Sequence, residues 1–411
     1  MTDFAQPGEG APPARQRRVR VAGPASVLAV IPPLLGFEPS EPSLVVVGVA
    51  APNPEVRVTF RLDIPDARRA AAAVRTAIGF LAVNDITAAV VVGYGPGDLV
   101  DPVAREVLRR FPGAGIGLTD VLRAHDQRYW SYLCQNPRCC PPDGTPFDAK
   151  SHPAAAMFAG RPVLASRQAL AQTIAPPDGQ EAAAMRQATR RATARARRLI
   201  KEAGNPARPG SRRRALRGPG LEAVAEAIAA YREGGSITEP DDVAWLALAL
   251  RELPVRDDAW ARMSPEHNAA HRRLWADVTR LAPRGFAAAP ASLLAFCAWQ
   301  AGDGALANIA LDRALADDRR YSMARLLRQA LDSGAPPSTA RLPMSPEEVA
   351  ACYIAADGEA DDDRAGSDLG RGEDAERTAG LTAGPGDDGA AGEQGADSSA
   401  GAAKQAAGLL P

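Results

Sequence analysis

Two uninterrupted apolar runs, SLVVVGV (Ser43–Val49) and ITAAVVVGY (Ile86–Tyr94), constrain the fold more than any other feature of this chain. Runs this rich in β-branched residues are typical of strands that are buried on both faces. Between them, Val56–Ile64 alternates apolar and polar residues, which predicts a half-exposed strand. The short turn before this segment predicts that it pairs with the first strand as a hairpin.

Helical periodicity follows the second and the third of these strands. Asp66–Val83 and Leu99–Arg110 both place apolar residues three and four positions apart. Strand–helix–strand order is typical of parallel crossovers, so we expect an α/β domain with a mixed, mostly parallel sheet. Gly115–Leu122 and Arg128–Leu133 predict a further strand or a hairpin, which leads directly into a cysteine-rich loop.

Composition divides the rest of the chain into further segments. Ala-rich stretches that end at Gly or Pro predict helices after Pro177, whereas both ends offer almost no apolar residues in a periodic pattern and are expected to be disordered. The predicted organisation is a disordered segment at 1–18, an α/β domain at 19–177, an Arg-rich helix and basic hinge at 178–219, an all-α domain at 220–353 and a disordered acidic tail at 354–411.

One part of the predicted helical domain has a more specific pattern. Cys297–Leu331 contains small residues at the offsets found in the second part of a tetratricopeptide repeat. The sequence offers no second good copy, and a solenoid needs several. We therefore interpret this segment as an ordinary helical hairpin, which could offer a groove to a protein partner.

The formal net charge of −1 results from two opposed blocks. Twelve Arg and Lys residues lie between Arg186 and Arg217 against one acid, Glu202, whereas thirteen acids follow Ala356 against four basic residues. Arg clusters can neutralise nucleic-acid phosphates, but no aromatic residue stands among these to stack on bases. We favour a solvated helix face over nucleic-acid binding, and a third alternative is that the acidic tail folds back onto the basic block.

The same composition bears on the cellular compartment. No apolar run reaches the roughly 18 residues that span a bilayer, and the first residues lack the apolar core of a secretory signal. The sequence therefore predicts a cytoplasmic protein with no membrane partner. Because cytoplasmic thiols are kept reduced, clustered cysteines there favour metal binding or catalysis over disulfide formation.

Three of the five cysteines, Cys134, Cys139 and Cys140, fall in the turn-rich stretch 129–148. Four residues separate the first two, which is the upper end of the spacing seen between zinc-ligating cysteines. A bond between the adjacent pair is disfavoured, because neighbouring α-carbons lie about 3.8 Å apart, less than disulfide geometry prefers.

A tetrahedral zinc site needs further ligands beyond these thiolates. His125 before the loop and His152 after it could complete the site, and Asp143 or Asp148 could supply an oxygen instead. The signal is incomplete, because the chain has no second C-x-x-C pair.

Two other interpretations of the same cysteines remain open. A catalytic thiol would need a base, which His125 or His152 could supply, although no recognisable nucleophile motif surrounds the cysteines. Alternatively, the cysteines pack as small hydrophobes, with Tyr129, Trp130 and Tyr132 supplying a local core. On that interpretation the loop is a rigid cap on the edge of the sheet.

Glycines follow the third predicted strand in VVVGYGPGD (Val90–Asp98), a position at which phosphate-binding loops occur. The spacing is not G-x-G-x-x-G, and Asp98 would repel a phosphate. We interpret the segment as a tight turn and predict no cofactor there.

Four stretches of the chain together resemble a known family. They are SVLAVIPPLLGFEPSEPSLVVVGV, RYWSYLCQNPRCCPPDGTPFD, HPAAAMFAGRPVLASRQAL and AWQAGDGALANIALDRALADDRRYSMARLLRQALDSGAPP. They resemble the uncharacterised actinobacterial family named domain of unknown function 4192, over roughly Val19–Pro337. Its most specific motif is carried by Trp130, Ser131, Tyr132, Cys134, Cys139, Cys140, Pro141, Gly144 and Pro146. The resemblance implies domain limits and a bacterial origin, and it implies no reaction.

These observations support three functional hypotheses. The first is a non-enzymatic binding or scaffold protein with a structural cysteine-rich loop. The second is a metal- or thiol-dependent enzyme centred on Cys134, Cys139 and Cys140. The third is a nucleic-acid-binding protein that uses the basic segment 186–217.

Overall fold

The computed structural model describes residues 23–39, 42–50, 55–64, 69–156, 158, 163–204, 211–237, 239–339 and 344–354. The N-terminal segment 1–18 and almost all of the acidic tail, both expected to be disordered, lie outside the described residues. Internal contacts divide the chain into two compact units, and each unit is made of separate stretches of sequence. Unit 1 comprises 1–175, 264–272 and 294–340, and unit 2 comprises 176–263, 273–293 and 341–411. The predicted domain limits, which assumed consecutive domains, stay a prediction.

Unit 1 contains a six-stranded sheet with the order β2-β1-β3-β4-β5-β6. Its strands are β1 (Ser43–Ala50), β2 (Glu55–Asp63), β3 (Ala88–Tyr94), β4 (Gly117–His125), β5 (Arg128–Ser131) and β6 (Thr145–Pro146). The helices in the first stretch of this unit, 1–175, are α1 (Pro24–Leu35), α2 (Ala70–Val83), α3 (Gly97–Arg110), α4 (Pro153–Ala156) and α5 (Arg167–Gln172).

The two apolar runs form the central strands, as the sequence predicts. In β1, Leu44 and Val46 face the layer that contains α2 and α3, whereas Val45 and Val47 face the layer that contains α1. All four side chains are buried. Alternation within one strand therefore supplies both cores of the unit.

The expectation of a mostly parallel sheet is wrong. β1 is antiparallel to both of its neighbours, β2 and β3, and the pairs β4–β5 and β5–β6 are antiparallel as well. β3 and β4 form the parallel pair. The reason lies in the strand order. The crossover through α2 connects β2 to β3, which run parallel to each other, but β1 lies between them and is antiparallel to both.

The remaining labelled helices follow in chain order. They are α6 (Gly179–Glu202), α7 (Ser211–Arg232), α8 (Pro240–Ala249), α9 (Leu253–Ala261), α10 (Asn268–Leu281), α11 (Ala288–Gln300), α12 (Gly304–Asp317) and α13 (Ser322–Asp332). A final helix covers 346–354. Within the described ranges, no helix combines the length and apolarity needed to cross a membrane.

The basic hinge expected in the C-terminal part of 178–219 is helical from Ser211 onwards, because α7 continues through Pro219 to Arg232. A proline inside a helix usually breaks or kinks it. Here Gly220 allows close packing on α8 and α9, since a Cβ at this position would lie 2.7 Å from Val255 and 3.2 Å from Ala249. Tertiary packing in unit 2 thus overrides the local breaker signal.

Close packing between β1 and α2 makes a direct test of this fold. A Cβ at Gly48 would lie 2.7 Å from Val58 and 3.0 Å from Leu81, whereas a Cβ at Gly79 would meet nothing within 4 Å. We expect Gly48→Ala to lower the free energy of unfolding by about 1–3 kcal/mol through overpacking. Gly79→Ala, on the exposed side of α2, should raise it by about 0.5–1 kcal/mol. Chemical denaturation measures both, and equal effects of the two substitutions would contradict this packing.

Candidate metal site

The candidate site lies in the connection between β5 and β6 at one edge of the sheet. β5 pairs with β4 on one side and with β6 on the other. We call the connecting segment 132–144 the cysteine knuckle, since it contains Cys134, Cys139 and Cys140. The predicted hairpin between the segments now labelled β4 and β5 is confirmed, and it positions this knuckle.

The side chain of Trp130, on β5, holds the far limb of the knuckle, which is the part that leads into β6. Its indole N–H donates to the carbonyl of Pro142 at 2.9 Å. Gly144 packs directly on the indole ring, where an added Cβ would lie 2.5 Å from a ring carbon, and its φ is +79°. The guanidinium of Arg123 lies 3.8 Å from the centre of the same ring. Trp130 therefore packs on the loop through its ring and bonds to it through its N–H.

Arg128 adds a second clamp between β5 and the far limb. One of its guanidinium nitrogens donates to the carbonyls of Asp143 at 3.1 Å and Gly144 at 2.9 Å. These bonds satisfy carbonyls of a turn and fix the distance between the two limbs.

The near limb of the knuckle, which follows β5, is tied to β4 through the partly buried hydroxyl of Ser131. Ser131 Oγ donates to the carboxylate of Asp120 at 2.8 Å. The same oxygen accepts the backbone N–H groups of Leu133 at 3.2 Å and of Cys134 at 3.3 Å. Asp120 therefore positions the backbone of the first cysteine through Ser131.

A tight turn at Asn136 brings the other two cysteines back to the first. The Asn136 carbonyl accepts the N–H groups of Cys139 at 3.0 Å and Cys140 at 2.8 Å. The backbone N–H of Asn136 hydrogen-bonds to the sulfur of Cys134. The turn therefore places all three thiols on the same side of the loop.

The sulfur atoms of Cys134, Cys139 and Cys140 all lie within 4.8 Å of one another. Cys139 is exposed, and the other two are half-buried. None of the five cysteines, all of which are described, forms a disulfide. The three-cysteine group could therefore hold a metal ion.

The environment separates the pKa values of two of these thiols. The Asn136 N–H, followed by a hydrogen bond with Cys140, lowers the pKa of Cys134. Desolvation, followed by hydrogen bonds with Cys134 and Cys139, raises the pKa of Cys140 to about 12. These surroundings therefore favour the thiolate form of Cys134 and the thiol form of Cys140.

The two histidines named as ligand or base candidates do not belong to the sulfur group. His125 ends β4, with Nε2 3.4 Å from the carboxylate of Asp126. His152 Nδ1 accepts the backbone N–H of Ala154 at 3.1 Å, at the start of α4. Their participation in a metal site stays a prediction.

The oxygen alternatives also have local roles. The Asp148 carboxylate accepts the N–H of Lys150 at 2.9 Å, and its pKa is lowered first by that bond and then by Ser151. The backbone carbonyl of Asp143 is engaged by Arg128. Neither carboxylate joins the sulfur group among the residues that the structure describes.

The glycine-rich turn after β3 serves packing. A Cβ at Gly93 would lie 2.3 Å from Val100, and one at Gly97 would lie 2.5 Å from the guanidinium of Arg123. Gly95 has a φ of +139°. These contacts explain the glycines through the close approach of α3 to the sheet.

Several residues that position the knuckle were not singled out from the sequence. They are Asp101, Asp120, Arg123 and Arg128. Tyr132, named only as part of a local core, donates its hydroxyl proton to Asp101 of α3. Desolvation, followed by that hydrogen bond, raises the pKa of Tyr132. A strand-pairing register would have been needed to find Asp120, because its partner Ser131 is eleven positions away in sequence.

The fold and this site define a class of protein in which an α/β unit carries a three-thiol knuckle at the edge of its sheet. The chain matches the family described as Domain of unknown function (DUF4192) over residues 24–338. Since that match spans more than half of the 411 residues, the chain belongs to this family. No curated protein and no solved structure matched the chain. The resemblance noted in the sequence is confirmed.

The contact between Gly144 and Trp130 generates a test of the clamp. Gly144→Ala combines a positive φ with a clash on the indole ring, and we expect it to lower the free energy of unfolding by about 2–4 kcal/mol. Gly115→Ala is the matched control in the same unit, because φ there is +76° and nothing lies within 4 Å. It should cost about 1–2 kcal/mol. Chemical denaturation gives both values, and equal losses would show that the ring contact is not formed.

Proposed function

We propose that this protein is a non-enzymatic binding or scaffold protein whose cysteine knuckle holds a zinc ion through Cys134, Cys139 and Cys140. The observation that carries the proposal is the convergence of the three sulfur atoms within 4.8 Å. Bound zinc would lock the hairpin that closes this edge of the sheet and would present a rigid surface to a partner.

The spacing of the sulfur atoms suits a tetrahedral ion. With zinc–sulfur bonds of about 2.3 Å, ideal tetrahedral geometry puts the sulfur atoms about 3.8 Å apart. A group that lies within 4.8 Å needs small side-chain movements to reach that geometry. The hydrogen bond from the Asn136 N–H to Cys134 supports the thiolate that a zinc ion requires.

The ligand set also favours zinc over harder cations. Thiolates are soft ligands that select zinc, copper(I) or iron–sulfur centres, whereas magnesium and calcium take oxygen. Three protein ligands leave a fourth coordination position, which water or a group from a docked partner would fill. A partner ligand in that position would couple metal binding to assembly.

A structural role is favoured over catalysis by the surroundings of the knuckle. The bonds made by Trp130, Arg128 and Ser131 fix its backbone, which is what a structural site needs. A thiol-dependent enzyme would require a base next to the thiols, and neither His125 nor His152 lies in the sulfur group. The absence of both histidines from the sulfur group therefore argues against a catalytic thiol at Cys134, Cys139 or Cys140 that uses either of them as its base.

Metal content tests the proposal. We expect elemental analysis of the purified chain to find about one zinc ion per molecule. Cys134→Ser, Cys139→Ser and Cys140→Ser should each remove it or weaken binding strongly. Cys352→Ser is the matched control, because Cys352 is exposed and lies outside the group. Structural zinc sites contribute about 10–16 kcal/mol in small domains, so loss of soluble protein is an expected result for the knuckle variants.

Two further measurements keep the proposal falsifiable if those variants fail to fold. A chelator should lower the melting temperature of the unchanged chain, and zinc should restore it. His125→Ala and His152→Ala should retain the metal if solvent or a partner supplies the fourth ligand. A metal-free chain whose stability does not respond to zinc would refute the proposal.

A further inference from the structure

Helix α6 carries a row of exposed cationic side chains along one face. Arg186, Arg190, Arg197 and Lys201 are all exposed. At 3.6 residues per turn they fall within an arc of about 60° and extend over about 22 Å of the helix. We call these four residues the cationic stripe.

The stripe points away from the core of unit 2. The buried residues of α6 are Met185, Ala188, Ala192 and Ala196, which fall on the opposite side of the helix. Helical spacing therefore separates an apolar, small-residue face from a cationic one, and the stripe is the face left over after the helix has packed.

Other basic residues of α6 have partners, in contrast to the stripe. Arg191 makes an ion pair with Asp241 at 2.8 Å, and Arg195 stacks on Trp245 at 4.1 Å from the ring centre. Arg198 lies 4.0 Å from Glu202. Across the described part of the chain, the four stripe residues have no ion pair and no aromatic contact. The uncompensated charge of the helix is thus concentrated on one face.

We propose that the acidic segment 357–376 of this same chain binds the cationic stripe. The segment contains nine acidic residues and two arginines. It begins three residues after Ile354, the last residue of a helix that belongs to the same unit as α6. Fully extended, the chain from 354 to 376 spans at most about 75 Å, so the segment is long enough to follow the whole stripe.

Charge complementarity and tethering favour this occupant over nucleic acid. A segment of the same chain is always present at a high effective concentration, so it outcompetes an external polyanion of similar charge. The stripe includes no aromatic side chain on which a base could stack, and the nearby Trp245 is covered by Arg195. The occupied stripe would therefore be shielded from other anions, and its exposure would depend on ionic strength.

Carbodiimide cross-linking of the full chain tests this contact, because the chain has only three lysines, Lys150, Lys201 and Lys404. At low ionic strength we expect Lys201 to form an amide with an acidic residue of 357–376, detected by mass spectrometry in the monomer band. The triple variant Arg186→Gln, Arg190→Gln, Arg197→Gln should reduce this product about fivefold while keeping the reporter Lys201.

A control with the same loss of charge uses Arg319→Gln, Arg320→Gln and Arg325→Gln, three exposed arginines of unit 1. The Lys201 product should persist in this variant. If the unchanged chain forms no amide between Lys201 and 357–376, or forms it only in a covalent dimer, the proposed intramolecular contact is overturned.

A binding measurement separates the tail from nucleic acid as the occupant. The variant Asp361→Asn, Asp362→Asn, Asp363→Asn, Glu373→Gln, Asp374→Asn, Glu376→Gln removes most of the negative charge of the segment. We expect this full-length variant to bind a fluorescent oligothymidylate about tenfold more tightly than the unchanged chain at low salt. Equal affinities would show that the segment does not cover the stripe and would overturn the proposal.

Discussion

The double burial of β1 and β3 is the constraint on which the rest of unit 1 depends. Their side chains alternate between two apolar layers, so neither strand has a solvent-facing side. Such strands must have a helix layer on each side, which α1 provides on one face and α2 and α3 on the other. Most polar residues of the sheet therefore lie on its outer strands, β2 at one edge and β4, β5 and β6 at the other. The cysteine knuckle lies at the latter edge, where the backbone can leave the plane of the sheet without exposing the core.

The sequence predicted the elements of this unit better than their pairing. Apolar runs report burial on both faces, and they do so equally for parallel and antiparallel strands. The insertion of β1 between β2 and β3 depends on a hairpin formed before the crossover, and no local pattern marks which neighbour a strand takes. The same limit applies to α7, where Pro219 and two glycines suggest a break. Packing of Gly220 against Val255 and Ala249 supports a continuous helix that local propensity alone would not predict.

The candidate site was predictable in its sulfur atoms and not in its supports. The spacing of the cysteines and the Trp–Ser–Tyr run before them indicated a loop of defined structure, and the three sulfur atoms do lie together. Asp120, Arg123 and Asp101 act from β4 and α3, far from the loop in sequence, so only strand register and helix placement connect them to it. The histidines were attractive because they flank the loop. Among the described residues neither histidine belongs to the sulfur group, and proximity in sequence alone does not bring a side chain to the thiols.

The adjacent pair Cys139 and Cys140 shows why the turn matters more than the spacing. In an extended strand, neighbouring side chains point to opposite faces, and two adjacent cysteines could not address one ion. Here both of their N–H groups converge on the single carbonyl of Asn136, which curls the backbone and turns both sulfur atoms toward Cys134. This curl brings three ionisable groups together, where their mutual repulsion opposes full ionisation. A divalent cation bound to the three sulfur atoms would remove that repulsion, so the curled turn is compatible with the metal site that we propose.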